Sequence, residues 1–559
     1  MRLRISLLLL LLTCEQVFGQ SIRKNLILKN SVAKHYLIDG TSFFSDHYEK
    51  AAAYFASHPA AERSMRMQKK TSWNFQVGSQ KNWWIRDFTA TLTDRYYQTT
   101  TTCRKVGSHC YIFVEDAMWE SGNVNNAEID SLENNFDNKT PANPNEGIFV
   151  MDSLAFGAPP DVDNDPKVII LLCHIRSGIY GSYFSAINEL PTSVHPFSNQ
   201  ADMFYVDVYY NLLSTEIEYT SSMLAHEFQH MINFNYHKTN FEPIFINEGC
   251  ATLAEIYCGY TAYFLHFYTD ETNINLFNWR TIDNTLVIND YGRAQRFFLY
   301  VWDRFGIGII KYIVQSQQTS EIDILNDAFT KAGMPLTFSN IFHDWSIANE
   351  LNDTTVNRLY GYAYPGLPIS NGKNISNPID VGTDTVRNLG VEYLIFIDKS
   401  DLNISFTYLS DNSNLTIEAI EIVTNANKVV SVPLGSQFFE PSYSTTYSKI
   451  VFVAINTDVN NSAYYNYIEA LPLKFILFQN YPNPFNLSTT ITFSISSKSF
   501  VSLKVYDLLG REVSTIVSEQ LLSGSYIRQW NASSFASGIY FYRLQAGSYL
   551  ETKKLVLLK

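Results

Sequence analysis

Two histidines and a glutamate near the middle of the chain have a spacing suited to metal chemistry. The run is His226-Glu227-Phe228-Gln229-His230. On a helix, His226 and His230 stand one turn apart and can direct imidazole nitrogens at one metal ion. Neutral imidazole suits Zn²⁺, and Glu227 beside a ligand can accept the proton of an attacking water. The run therefore predicts a catalytic zinc centre; the alternative is two solvent-facing histidines on an ordinary helix.

A second run of residues, Phe245–Glu255, supplies candidates for the remaining protein ligand. Its two carboxylates, Glu248 and Glu255, are two helical turns apart and share one face. The small residues Ala251 and Thr252 between them would let this helix approach the first one closely. We expect Glu248 to be the third zinc ligand and Glu255 to accept a hydrogen bond from a ligating histidine. The alternative is a pair of exposed acids on a surface helix.

These runs together resemble the gluzincin metallopeptidases, and Ala225–Ile232 is similar to their hyicolysin-like branch. The resemblance covers roughly residues 80 to 360, and it implies that Glu248 is the third zinc ligand. It also implies an oxyanion-stabilising tyrosine, which Tyr291 matches loosely; a core tyrosine is the alternative reading. The Gly-x-Met-Glu-Asn signature of the exopeptidase branch is absent, which favours an endopeptidase acting on protein or peptide substrates.

A different ligand set remains open, because metzincins place a third histidine six residues after the second. Position 236 is Tyr, and the histidine is His237, one residue out of phase. One residue rotates a side chain by about 100° on a continuous helix. Glu248 is therefore the preferred third ligand.

Three weaker patterns lie upstream. The acids Asp161, Asp163 and Asp165 alternate as in calcium loops, but the glycine and distal glutamate of an EF-hand are missing, so a solvated turn is favoured over a Ca²⁺ site. The apolar run Met203–Tyr209 fits either an edge strand that receives substrate or a core strand. The spacing of Cys103 and Cys110 would let a disulfide close a hairpin.

The composition describes a folded, multidomain, exported protein. Its 559 residues are 46% hydrophobic and 17% charged, which excludes a mostly disordered chain. The net charge of -13 offers no basic footprint for nucleic acid or an anionic membrane. Arg2 and Arg4 precede the apolar run Ile5–Leu12, which predicts a signal peptide; a lipoprotein signal at Cys14 is the alternative. No later stretch is long enough to cross a bilayer.

The final part of the chain resembles the type IX secretion sorting domain of Bacteroidetes-like bacteria. Its motifs appear in order over about 80 residues: Phe478–Asn486, Leu503–Arg511, Ser537–Arg543 and Lys553-Lys554. The resemblance implies export through the inner membrane by the signal peptide and through the outer membrane by the type IX machinery.

The order of strand and helix patterns predicts a multidomain fold, an α+β zincin-type catalytic domain followed by a β-sandwich and a C-terminal β-sandwich sorting domain. The expected divisions are a signal peptide at 1–19, an N-terminal segment or propeptide at 20–79, a metallopeptidase domain at 80–365, a β-sandwich at 366–472 and a sorting domain at 473–559. The predicted function is a secreted zinc endopeptidase with Glu227 as general base. The alternatives are an adhesin that retains a protease fold and a hydrolase of non-peptide substrates.

Overall fold

A computed structural model provides the structure of the protein. It describes residues 38–41, 45–60, 72–89, 95–177, 179–210, 213–239, 242–269, 271–280, 286–375, 382–397, 402, 404–409, 414–423, 427–435, 439, 449–469 and 475–559. The predicted signal peptide and the first part of the N-terminal segment lie outside the described residues. The chain divides into two compact units, one comprising residues up to Leu265 with Trp279–Pro335, the other comprising His266–Asn278 with Leu336–Lys559.

The first unit contains a seven-stranded mixed sheet in the order β1-β6-β7-β5-β4-β3-β2. Its strands are β1 Ile38–Asp39, β2 Gln80–Arg86, β3 Tyr96–Val106, β4 Cys110–Glu115, β5 Val168–Cys173, β6 Tyr180–Phe184 and β7 Met203–Asp207. Strands β4, β5 and β7 are mutually parallel, β6 is antiparallel to β7, and β1 is parallel to β6. The interior strands β4, β5 and β7 are buried at every position and are apolar except for a terminal acid on β4 and on β7, as expected for strands covered on both faces.

The helices of this unit are α1 Ser45–Ser57, α2 Asp116–Glu120, α3 Asn126–Asp137, α4 Ile148–Ala155, α5 Leu213–Tyr236, α6 Ile244–Tyr257, α7 Val287–Phe305, α8 Ile307–Val314 and α9 Glu321–Lys331. Helix α5 carries the paired histidines, and every residue from Tyr219 to Phe234 is buried. Such a helix packs on all sides, and α5 lies against strands β6 and β7 and against α6. The sheet and the neighbouring helices therefore position the histidines.

The second unit begins with helix α10 Phe338–Leu351 and continues in strands. Strands β8 Lys373–Asn374, β9 Gly382–Val386, β10 Val391–Ile397, β11 Ile404–Tyr408, β12 Leu415–Ile422, β13 Lys428–Ser431, β14 Lys449–Asn456 and β15 Ala463–Glu469 form a five-stranded and a three-stranded sheet. One hydrophobic core, which includes Phe406 and Phe452, is shared by both sheets. Two sheets around one core form a sandwich.

The last strands form a second pair of sheets with a core of their own. They are β16 Ile476–Leu477, β17 Ser488–Ile495, β18 Ser499–Tyr506, β19 Glu512–Leu521, β20 Gly524–Asn531, β21 Gly538–Ala546 and β22 Tyr549–Leu557. Trp530 and Tyr542 lie in this core. Alternation of buried and exposed residues along β18 and β21 gives each strand one core face and one solvent face.

Two expectations about the first unit are decided by the sheet. Strand β7 lies between β6 and β5, so the apolar run at 203–209 is a core strand, and β6 is the strand nearer the edge. The expected disulfide is wrong, since Cys103 and Cys110 are both free and buried. The register pairs Cys103 with Phe113, while the backbone carbonyl of Cys110 accepts a hydrogen bond from Gly107, so the two thiols are not opposite each other.

Within the described part of the chain, no helix is both long enough and apolar enough to cross a bilayer.

Candidate metal centre

Four side chains from three parts of the chain converge on one point in the first unit. They are Asp39 on β1, His226 and His230 on α5, and Glu248 on α6, and one ligand atom of each lies within 4.8 Å of the others. The Oε2 atom of Glu248 is 3.5 Å from Nε2 of His226 and 3.6 Å from Nε2 of His230. The Oδ2 atom of Asp39 is 3.5 Å from Nε2 of His230 and 4.0 Å from Nε2 of His226.

The buried atoms of this cluster fit a metal ion. None of the four ligand atoms makes a well-formed hydrogen bond, although all four side chains are almost fully buried. Buried polar groups without a partner are rare in folded proteins, and a cation satisfies them all at once. Zinc bonds of about 2.0–2.1 Å in a tetrahedron separate ligand atoms by roughly 3.3 Å, close to the distances here. Two imidazoles and a carboxylate are the donor set that zinc accepts.

The other nitrogen of each histidine is held by helix α6 or its neighbours. Nδ1 of His226 lies 2.8 Å from Oε1 of Glu255, and Nδ1 of His230 lies 2.9 Å from Oδ1 of Asn247. Asn233 donates a second hydrogen bond to the same amide oxygen of Asn247 at 2.7 Å. With Nδ1 protonated and donating, Nε2 keeps its lone pair for a metal. Glu255 is therefore the hydrogen-bond partner of His226, as the sequence predicts. The corresponding role of Asn247 towards His230 was not predicted from the sequence.

The carboxylate of Glu227 lies beside the cluster without belonging to it. Glu227 is fully buried, and its Oε2 accepts a hydrogen bond of 3.1 Å from the hydroxyl of Thr41. Burial, and then the negative charge of Asp39, raise the pKa of Glu227 well above the ordinary value. Burial also raises the pKa of Asp39, but the close approach of His230 and the charges of both histidines outweigh it and leave that pKa lowered.

Tyr291 reaches the site through a backbone group. It is fully buried on α7, and its hydroxyl donates to the backbone carbonyl of Asp39 at 3.5 Å. Its ring stacks on Phe264 and meets Trp279 edge to face. The hydroxyl thus lies next to Asp39, one of the four candidate metal ligands; the role of Tyr291 in catalysis stays a prediction.

His237 is directed away from the cluster. Helix α5 ends at Tyr236, and Nε2 of His237 lies 2.8 Å from the backbone carbonyl of Val314 and 3.3 Å from Oε1 of Glu242. The ring of Tyr236 instead packs over Gly157. The geometry therefore gives no support to the metzincin ligand set.

Close packing of α6 against α7 positions Glu248. A Cβ atom built on Gly249 would lie 2.2 Å from Cδ2 of Phe298, so only glycine allows this approach. The hydroxyl of Thr252 donates a hydrogen bond of 2.8 Å to the backbone carbonyl of Glu248. The hydroxyl is thereby satisfied within α6 and needs no partner on another helix. The sequence predicts that the small residues Ala251 and Thr252 let α6 approach the histidine helix α5 closely. Both residues are buried on α6.

Asp163 and Asp165 are buried and Asp161 is partly buried, which corrects the expectation of a solvated turn. Asp163 is fully buried and accepts from the indole of Trp73 at 2.5 Å, and Asp165 accepts from the hydroxyl of Tyr111 at 3.1 Å. Asp161 and Asp163 lie with Asp202 in an acidic cluster, whereas Asp165 is not part of it. Contacts with aromatic residues that are distant in sequence shield this loop from solvent. Turn statistics, which depend on the local sequence alone, do not include such contacts. The calcium interpretation stays a prediction.

Comparisons with known proteins identify the C-terminal part of the chain. Residues 479–558 match the family described as the secretion system C-terminal sorting domain. The protein is therefore secreted or displayed at the cell surface.

About half of the chain is distantly similar to a metalloprotease. It is 26% identical over 314 residues to the "Neutral metalloprotease ShpI" of Staphylococcus hyicus. This match takes in 51% of the chain and 66% of the relative, so the chain spans slightly less than two thirds of that protein. By its name that relative is a metalloprotease, and the cluster on β1, α5 and α6 of this chain offers candidate metal ligands.

Two solved structures resemble parts of this chain only weakly. PorZ, a surface component of the type-IX secretion system of Porphyromonas gingivalis, is 15% identical, with a TM-score of 0.12 and coverage of 19% of this chain and 14% of that one. A β-glucuronidase of Lactobacillus rhamnosus is 11% identical, with a TM-score of 0.11 and coverage of 31% and 36%. Scores this low carry no argument about fold.

Proposed function

We propose that the protein is a secreted zinc endopeptidase of the gluzincin type, similar to the hyicolysin-like branch, that hydrolyses protein or peptide substrates. The observation that carries the proposal is the convergence of three buried ligand atoms, Nε2 of His226, Nε2 of His230 and Oε2 of Glu248. The distant metalloprotease relative and the sorting domain support it.

Each side chain has a distinct role in this reaction. His226, His230 and Glu248 hold the metal, and Glu255 and Asn247 keep the two imidazoles oriented through their Nδ1 atoms. A bound zinc ion supplies Lewis acidity towards the attacking water and the scissile carbonyl. Glu227 accepts the proton of that water and delivers it to the nitrogen of the departing amine.

Two further elements act on the substrate. The hydroxyl of Tyr291 donates a hydrogen bond to the oxyanion that develops on the carbonyl oxygen. Strand β6 lies directly beside the metal helix and is paired on its inner side with β7. An extended peptide would add to its outer side through backbone hydrogen bonds, in the place that β1 takes in this structure. This is how a protease receives chains of many sequences.

The alternative function is that of a surface adhesin that keeps a protease fold without activity. Loss of the general base would favour it, but Glu227 is present and lies beside the cluster. A metal-dependent hydrolase of non-peptide substrates is the other alternative, and the metalloprotease relative speaks against it.

The test is zinc content and casein hydrolysis of the chain from residue 20 onwards, measured with and without a chelator. We expect one zinc per chain in the wild type and in Glu227→Gln, with Glu227→Gln at least about 10³-fold less active, because the base is lost while the ligands remain. Glu248→Ala is expected to lose most of its zinc.

Two results would contradict these assignments. Full zinc content in Glu248→Ala would transfer the third-ligand role to Asp39. A wild-type chain that binds no zinc would overturn the zinc endopeptidase proposal itself.

A further inference from the structure

The short strand β1 occupies the outer side of β6. Ile38 pairs with Tyr180 and Asp39 pairs with Ser182 in parallel register. Beyond the strand, Gly40 N donates to the carbonyl of Ser182 at 2.9 Å. Within the described residues, β6 has β7 on one side and β1 on the other. The backbone groups that would bind an extended substrate are therefore engaged by the protein's own N-terminal segment.

The side chain of Asp39 takes a position that a catalytic centre has to keep open. Its Oδ2 lies 3.5 Å from Nε2 of His230, as close as Glu248 lies to His226. Its other oxygen, Oδ1, accepts from the backbone N–H of Thr41 at 2.8 Å, which fixes the carboxylate in this direction. Together with His226, His230 and Glu248, the carboxylate makes four protein ligands, which is the closed arrangement of a structural zinc site. A catalytic site has three ligands and an open fourth position.

The residues on either side of this carboxylate engage the other groups of the reaction. The hydroxyl of Thr41 donates to Oε2 of Glu227 at 3.1 Å. It also accepts from the backbone N–H of Phe184, at the end of β6, at 2.8 Å. The backbone carbonyl of Asp39 accepts from the hydroxyl of Tyr291. Residues 38–41, the inhibitory segment, thus contact the metal ligands, the base, the tyrosine and the substrate strand at once.

The inhibitory segment fits tightly and is continuous with a docked helix. A Cβ atom on Gly40 would meet Cβ of Tyr183 at 3.2 Å, so the segment lies close against β6. Helix α1 follows and packs over the 3₁₀ turn Ala186–Glu189 that comes after β6. His47 contacts the hydroxyl of Ser185 at 3.2 Å, and Phe55 meets the ring of Phe234 on α5.

We propose that the inhibitory segment keeps the enzyme latent, with Asp39 as a fourth metal ligand, and that activity requires this segment to leave the site. This inference rests on the proposed zinc centre and adds its regulation. The attacking water and the Asp39 carboxylate would need the same position, so the latent and active states exclude each other.

The test compares Asp39→Ala with Glu49→Ala in the chain from residue 20 onwards. Glu49 is an exposed acid on α1, so Glu49→Ala removes a carboxylate, as Asp39→Ala does, from the same region of the chain. We expect Asp39→Ala to keep its zinc and to hydrolyse casein at least about tenfold faster, because the competing ligand is removed. With Co²⁺ in place of Zn²⁺, the visible absorption bands of Asp39→Ala should shift, since a carboxylate ligand is lost. Glu49→Ala should match the wild type in all three measurements.

A second variant protects the test against misfolding of the first. Thr41→Val removes the hydrogen bond to Glu227 and keeps the Asp39 carboxylate, so we expect a smaller activation with an unchanged Co²⁺ spectrum.

Unchanged Co²⁺ bands and unchanged activity in zinc-loaded Asp39→Ala would overturn the latent state while leaving the zinc endopeptidase proposal intact. Loss of zinc from Asp39→Ala without any activity would also overturn it, because Asp39 would then be a permanent ligand. A wild type without zinc is the separate outcome that overturns the proposed function.

Discussion

Nδ1 of His226 lies 2.8 Å from Oε1 of Glu255, a residue on the next helix. The same helix, α6, carries Glu248, whose Oε2 lies 3.5 Å from the other ring nitrogen of His226. One helix therefore supplies both a carboxylate for the proposed metal and the acceptor that would orient a ligating imidazole. The two-turn separation of Glu248 and Glu255 makes this arrangement possible, because both side chains leave the same face of α6.

Removing the carboxylate charge at Glu255 should weaken metal binding without abolishing it. We expect Glu255→Gln to lower zinc affinity about 10–100-fold, because the acceptor of the His226 Nδ1 proton becomes neutral. Competition with a chromophoric chelator measures this affinity. Glu120→Gln, at an exposed position on α2, serves as the matched control and should bind zinc as the wild type does. Equal affinities of both variants would show that the hydrogen bond does not support the metal.

The hydroxyl of Tyr291 should matter for turnover and not for metal binding. We expect Tyr291→Phe to lower kcat at least about 10²-fold with little change in KM and in zinc content, because an oxyanion donor acts mainly in the transition state. The measurement belongs in the Asp39→Ala background, where the site is open. Tyr312→Phe, at a partly exposed position on α8, is the control. A Tyr291→Phe enzyme with normal kcat would reduce this tyrosine to a core residue.

The contact of Gly249 with Phe298 should be sensitive to a single methyl group. Because its Cβ would lie 2.2 Å from the ring, we expect Gly249→Ala to cost about 1–3 kcal/mol of stability through overpacking. The strain falls next to Glu248, so zinc affinity should fall as well. Gly308→Ala is the control, since a Cβ atom there meets nothing within 4 Å. Thermal unfolding and zinc titration of both variants check this. Wild-type stability and zinc affinity in Gly249→Ala would mean that α7 shifts to accommodate the methyl group at little cost.

An ion-paired histidine in the second unit should make stability depend on pH. Burial lowers the pKa of His343, but hydrogen bonds to Asp344 and Glu418 outweigh it and raise that pKa to about 9. The folded pKa exceeds the unfolded value of 6.5, so the stabilisation is complete below about pH 6.5 and is lost as the pH rises through about 9.

The corresponding variant is His343→Gln. We expect it to lose about 1–2 kcal/mol near pH 6, after allowance for solvent screening, and to match the wild type near pH 10. Unfolding followed at both pH values checks this. A loss of equal size at both would indicate that the histidine contributes by packing alone.

Local patterns in the sequence were enough to identify the helices that carry the site. The two runs that were expected to be helical, His226–His230 and Phe245–Glu255, lie within α5 and α6. The later run of short strands matches the described strands β8 to β22. In the first unit, helices α2 to α4 lie between strands β4 and β5, so strands and helices alternate there. These features depend on periodicity and on spacing within one element, which the chain expresses locally.

The sequence by itself determined which residue types could bind a metal and act as base, because His226, Glu227 and His230 lie within little more than one helical turn. Only the tertiary structure decided what surrounds them. The hydroxyl of Thr41 meets Glu227 across a separation of 186 residues, and Asp39 reaches the histidines over a similar distance. Nothing in the short segment around Asp39 marks it as a ligand. Its position follows from pairing of β1 with β6, and such long-range pairing depends on the whole sheet rather than on local preference.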